Sequence, residues 1–137
     1  MSKFLTAIVA MVLAVSVHAE TLVYSDLVAY DGDTVVSTYR PIPGLSTIRF
    51  RLIGIDTPEI RTAKCEEEKV AALKARDFLN AEIKGKPTTV EILAWDKYGG
   101  RVLAKLRNAQ GEDLAAKLVA AGLAREYHGG FKASWCK

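Results

Sequence analysis

Thr88-Thr89-Val90-Glu91-Ile92-Leu93-Ala94-Trp95 runs into Asp96-Lys97-Tyr98-Gly99-Gly100 and continues as Arg101-Val102-Leu103-Ala104-Lys105-Leu106. Both flanks are rich in strand-forming residues, and the aspartate–glycine segment between them carries turn chemistry. The stretch therefore predicts a β-hairpin. Just upstream, Gly85-Lys86-Pro87 stops a helix predicted over residues 66–81, with Val70, Ala71, Leu73, Ala75 and Phe78 as its apolar stripe. Glu66, Glu67 and Glu68 open that helix. Carboxylates there favour the positive end of the helix dipole, and consecutive residues do not converge on one ion.

Further toward the N-terminus, residues 47–53 alternate: Ile48, Phe50 and Leu52 face one way, Thr47, Arg49 and Arg51 the other. Pro58 ends that strand, because it donates no ladder hydrogen bond and restricts the residue before it. Residues 35–39 read as a short strand and 21–29 as a longer one, joined by the turn Asp31-Gly32-Asp33. Beyond the hairpin, a second helix is predicted over 114–121, with Leu114 and Leu118 inward and Gly122 as its stop. The order is three strands, a helix, two strands and a helix. That predicts an α+β, mainly β chain: a five-stranded OB-fold barrel with two helices.

A chain of 137 residues, half of them hydrophobic, suffices for one compact core. Its formal charge of +3 is too modest to argue by itself for a polyanionic partner. Lys3, the uncharged run from Phe4 to Val17 and the small residues before Glu20 read as a signal peptide over 1–19, leaving a domain of 20–137. Export to the periplasm or the medium follows as an expectation, with no stable membrane association after cleavage. In an oxidising compartment Cys65 and Cys136 read first as a disulfide; free thiols or pairing between molecules are the alternatives. With His128 alone beyond residue 19, a structural zinc set is incomplete.

Four stretches, in order, resemble the staphylococcal nuclease (thermonuclease) family. They are Asp31-Gly32-Asp33-Thr34, Arg51-Leu52-Ile53-Gly54-Ile55-Asp56-Thr57-Pro58-Glu59, Asp96-Lys97-Tyr98-Gly99-Gly100-Arg101-Val102-Leu103-Ala104 and Val119-Ala120-Ala121-Gly122-Leu123-Ala124. The resemblance implies a Ca2+ ion held by Asp33, Asp56 and the carbonyl of Thr57, with Arg51, Glu59 and Arg101 around the scissile phosphate. It implies hydrolysis of DNA and RNA at the P–O5′ bond, leaving 3′-phosphate ends. Lys97 and Tyr98 would meet a terminal phosphate and a base, Tyr127 would add a second aromatic surface, and the enzyme would act as a monomer.

The residue types suit that chemistry. Calcium takes hard oxygen ligands, and arginine forks match phosphoryl oxygens better than lysine point charges do. Glu59 would be a general base or orient the attacking water. Each residue also has a plainer reading: Asp31 and Asp33 as turn residues, Asp56 as a local turn acceptor, the arginines as exposed strand residues. The chain departs from the family pattern in its paired Gly99-Gly100, a shorter stretch after Glu59, and a tail too short for a long third helix. The alternative function is a non-catalytic module on the same barrel that binds nucleic acid or protein.

Overall fold

The computed structural model describes residues 20–39, 47–95 and 101–137. In chain order the elements are β1 (Glu20–Tyr24), β2 (Leu27–Ala29), β3 (Thr34–Ser37), β4 (Arg49–Leu52), β5 (Ile55–Asp56) and α1 (Glu66–Ile83). They continue as β6 (Thr88–Trp95), β7 (Val102–Arg107), α2 (Leu114–Ala120) and β8 (Arg125–Glu126). One sheet has the order β1-β6-β7-β4-β3-β2, and β5 pairs with β8 beside it.

The predicted first strand is in fact two. The chain breaks at Ser25–Asp26, where the Asp26 carboxylate accepts from the Ser37 hydroxyl at 2.6 Å and the Tyr39 backbone N–H at 2.7 Å. The break matters for topology. β1 pairs antiparallel with β6, while β2 pairs antiparallel with β3 at the opposite edge of the sheet. One bent strand thus serves both edges, which curls a five-strand sequence pattern into a barrel-like sheet without long bare edges. β4 and β7 lie parallel, with Arg51 opposite Leu103. The sheet and its two helices form the mainly-β, OB-type α+β architecture that the element order predicts.

The core gathers Leu27, Val35, Phe50, Leu52, Val90, Ala104 and Leu106 from the sheet, and Leu79, Ile83, Leu114 and Leu118 from the helices. Each fully buried leucine, isoleucine or phenylalanine contributes about 1.5–3 kcal/mol. The hairpin strands fall where the sequence puts them, and Leu114 and Leu118 are the buried residues of α2. Two readings need correction. α1 buries Glu68, Ala72, Ala75, Leu79 and Ile83, while Val70 is 43% exposed. Of the predicted stripe only Ala75 is fully buried, because the barrel takes the helix by its small alanine face. Ile48 precedes β4 and is 47% exposed, so it is not part of the inward row.

Candidate active site

The turn after β2 is held by its first aspartate. Asp31 Oδ1 accepts from the backbone N–H groups of Asp33 at 3.1 Å and Thr34 at 2.8 Å, so Asp31 is a local turn residue. Gly32 lets this turn press onto α1. A Cβ there would lie 2.7 Å from Ala75 Cβ and 3.1 Å from Thr57 Cβ, so a glycine is required by close approach. The result is that Asp33 points inward, 5% exposed, and forms an ion pair with Arg51 of β4.

Arg51 is oriented before any ligand arrives. Its Nη1 also donates to the Leu52 carbonyl at 3.3 Å and its Nη2 to the Ile55 carbonyl at 3.5 Å. Of the five guanidinium N–H donors, these contacts engage three among the described residues. Burial pushes the Asp33 carboxyl up to about 6, with Arg51 pulling the other way and Asp31 adding to the rise. Asp33 also accepts from the Thr34 hydroxyl at 3.0 Å.

β5 and the residues after it bring up Asp56, Thr57 and Glu59. Asp56 and Thr57 are buried; Glu59 is exposed at the rim. Although the residue stands exposed at the rim, its carboxyl is raised above its usual range, first by partial desolvation, then by the Asp33 carboxylate, with Asp56 adding and Lys132 and Arg51 opposing. Asp33, Asp56 and Glu59 are therefore within electrostatic reach of one another. Arg101 stands half-buried one residue ahead of β7, held by contacts of its own. Lys97 and Tyr98 lie outside the described residues. Tyr127 turns its hydroxyl back onto the Gly130 carbonyl at 2.8 Å, and Lys132 Nζ sits 4.9 Å from its ring centroid. Its ring meets the chain's own tail.

Two features were not legible as site features in the sequence. The first is Glu68, one of the three glutamates read as dipole partners. Its carboxylate accepts from the backbone N–H groups of Glu59 at 3.2 Å and Lys64 at 2.9 Å, which clamps the loop carrying Glu59 to α1. Cys65 is the N-cap and accepts from the Glu68 N–H at 3.4 Å, but the Glu68 carboxylate reaches past it to the preceding loop, so the local spacing carries no signal of the clamp. The second is the tail. Cys65 and Cys136 form the expected disulfide, with Cα atoms 6.0 Å apart. Trp135 donates its indole N–H to Asp56 Oδ2 at 3.0 Å, and Lys132 Nζ lies 3.2 Å from Asp56 Oδ1. Tail and loop enclose a cleft of about 410 Å3 lined by Asp56, Thr57, Glu59, Glu68, Lys132 and Trp135.

The fold and its site define a small OB-type barrel with an arginine and several carboxylates gathered where the β2–β3 turn, β4 and β5 meet. Residues 49–134 match the family model described as staphylococcal nuclease homologue. The chain belongs to the staphylococcal nuclease family, a family of nuclease hydrolases. Arg51, Asp56, Thr57, Glu59 and Arg101 fall inside the match; Asp33 and Cys136 fall outside it. No curated protein matches the chain.

Members of this family typically depend on calcium. Among the described residues no three side chains of His, Cys, Asp or Glu are arranged to hold a metal ion. The expected set is smaller, two carboxylates and a backbone carbonyl. Its donors are all hard oxygens, and the mutual crowding that raises Glu59 is relieved by a divalent cation. The residues fit the ion in donor chemistry. Against this, both Asp56 oxygens already have partners in the tail.

Proposed function

We propose that the chain is a calcium-dependent nuclease that hydrolyses phosphodiester bonds of DNA and RNA at P–O5′, leaving 3′-phosphate ends. The observation that carries the reading is the convergence of Arg51, Asp33, Asp56 and Glu59 on one rim of the barrel, with Arg51 oriented in advance. Asp33, Asp56 and the Thr57 carbonyl would hold calcium, which when bound neutralises the phosphodiester and polarises it toward attack.

The chain's own residues would do the rest. Arg51 offers its remaining N–H donors to the phosphoryl oxygens from a fixed position, so little reorganisation accompanies the growth of negative charge. Arg101 supplies a second fork. Glu59, raised by partial desolvation and by its acidic neighbours, suits a group that takes a proton from water nearer to neutral pH than an ordinary carboxylate would. Glu68 holds the Glu59 backbone and so sets the direction from which that proton is taken. Lys97, Tyr98 and Tyr127 belong to the same reading as contacts to the substrate strand. So do removal of residues 1–19, export to the periplasm or medium and action as a monomer.

The rival reading is a non-catalytic binding module. It is favoured by one observation, the occupation of Asp56 by Trp135 and Lys132. The purified protein, assayed on single-stranded and double-stranded DNA and on RNA with calcium and then with chelator, separates the two. Cleavage that needs calcium supports the nuclease. Binding without cleavage supports the module, and cleavage undiminished in chelator refutes the metal assignment.

A further inference from the structure

Beside the catalytic rim, two arginines share one aromatic ring. The Arg49 guanidinium carbon lies 5.5 Å from the centroid of the Tyr30 ring, and that of Arg61 lies 5.2 Å from it. The three residues come from three places in the chain. Tyr30 immediately precedes the turn that carries Asp33, Arg49 is on β4 two residues before Arg51, and Arg61 follows Glu59 by two. The segments that supply Asp33, Arg51 and Glu59 thus each also supply one member of this group.

The group is open to a ligand. Arg49 and Arg61 are exposed, and Tyr30 is half-buried. Neither arginine has a carboxylate partner among the described residues, whereas Arg51 is paired with Asp33 and Arg76 with Asp77. The quadrupole of one ring offsets only part of the repulsion between two guanidinium groups, so an anion is the missing partner. Arg49 and Arg51 occupy the same face of β4, at positions i and i+2, about 6.8 Å apart along the strand. That is about the rise of two nucleotides along one strand of B-form DNA. The two side chains turn to different partners, Arg51 to Asp33 and Arg49 to Tyr30, so a phosphate on Arg49 would not compete with one on Arg51.

We propose that Arg49, Tyr30 and Arg61 form an accessory subsite that grips the sugar–phosphate backbone of a single nucleic-acid strand beyond the scissile phosphate. The proposal rests on the nuclease reading and extends it from the reacting bond to the strand that carries it. Contact with the one ring restrains both guanidinium groups, so part of the ordering cost is met in the free protein.

The test is binding of a fluorescent oligothymidine of about twelve nucleotides, a length within the range one OB-type barrel covers. Chelator is added so that nothing is cut, and the salt concentration is varied. Losing two phosphate contacts lowers the slope of log Kd against log salt by about 1.4, at about 0.7 per contact on single strands. Over the decade from about 1 M to 0.1 M salt, that is about 25-fold in affinity. Arg49→Gln/Arg61→Gln is expected to show this loss. Lys69→Gln/Lys74→Gln, which removes the same charge from α1, is expected to keep the wild-type slope. Tyr30→Leu should weaken binding less than the double arginine variant does.

With calcium, the arginine variant should raise KM on long strands and leave kcat, and turnover of a mononucleotide diester, near wild type. An unchanged slope in the arginine variant, or an equal loss in the lysine variant, overturns the subsite. Wild-type protein that binds with full slope yet cuts nothing refutes the nuclease reading and leaves the subsite standing.

Discussion

Replacing Cys136 with serine opens a loop whose ends are 71 residues apart in sequence. Chain-entropy arithmetic for a loop of that size gives about 4 kcal/mol of stabilisation, acting mainly on the unfolded ensemble. A domain of this size has roughly 5–15 kcal/mol in total. At roughly 3–6 °C per kcal/mol, the expected fall in Tm is roughly 15 °C. The folded tail, by contrast, has other anchors. Arg125 donates to the carbonyls of Ala133 at 3.1 Å and Ser134 at 3.0 Å, and its guanidinium stacks 3.6 Å from the Trp135 ring centroid. Trp135 and Lys132 keep their own contacts to Asp56. The variant should therefore lose stability and keep its site. Thermal melts followed by circular dichroism read the first, and kcat at saturating substrate at 25 °C reads the second, with non-reducing mass spectrometry confirming the bond in the parent protein. A fall in Tm of only about 2 °C would refute the loop-entropy reasoning. A tenfold drop in kcat in a variant still folded at 25 °C would show that the disulfide shapes the site directly.

Arg51→Lys keeps the charge and loses the fork, so kcat should fall by two to three orders of magnitude while the fold survives; near-normal turnover would remove Arg51 from the chemistry. The Asp33 carboxyl is held at about 6, above its ordinary value of 3.8, so the calcium-free fold is favoured below pH 4 and loses that advantage as pH rises through 6. The full shift is worth at most about 3 kcal/mol, and Asp33→Asn should flatten the melting profile between pH 4 and 6; an equally steep profile in the variant would assign the effect elsewhere. Gly32→Ala forces a methyl against Ala75 and Thr57, with an expected cost of about 1–3 kcal/mol and weaker calcium binding by calorimetry; a neutral result would mean that the turn is not held there. Glu68→Gln removes an acceptor from the Glu59 loop and should lower kcat more than it raises KM, without loss of secondary structure; an effect on KM alone would contradict its role in positioning Glu59.

Whatever depends on neighbours along the chain was legible in the sequence alone. The strand Thr88–Trp95 and the second strand of its hairpin, and the glycine stop and inward leucines of α2, follow from side-chain period and turn chemistry, which act over a few residues. The motifs likewise exposed the residues that gather at the rim, because their types are demanding and their spacing is short. What the sequence could not decide depends on which surfaces meet. α1 carries alanines on several faces, and only the barrel beneath it selects Ala72, Ala75 and Leu79 over Val70. The strand over 21–29 breaks only because Asp26 finds Ser37 and Tyr39, partners eleven and thirteen residues away. Asp31 and Asp33 are equivalent as letters; the docking of Gly32 on Ala75 and Thr57 makes one a turn residue and buries the other against Arg51. Glu68 under Glu59, the tail on Asp56, and Tyr30 between Arg49 and Arg61 are side-chain meetings across 9, 76 or more, and 19 or more residues. No local pattern encodes such pairings, because the curled sheet rather than the chain sets the distances between them.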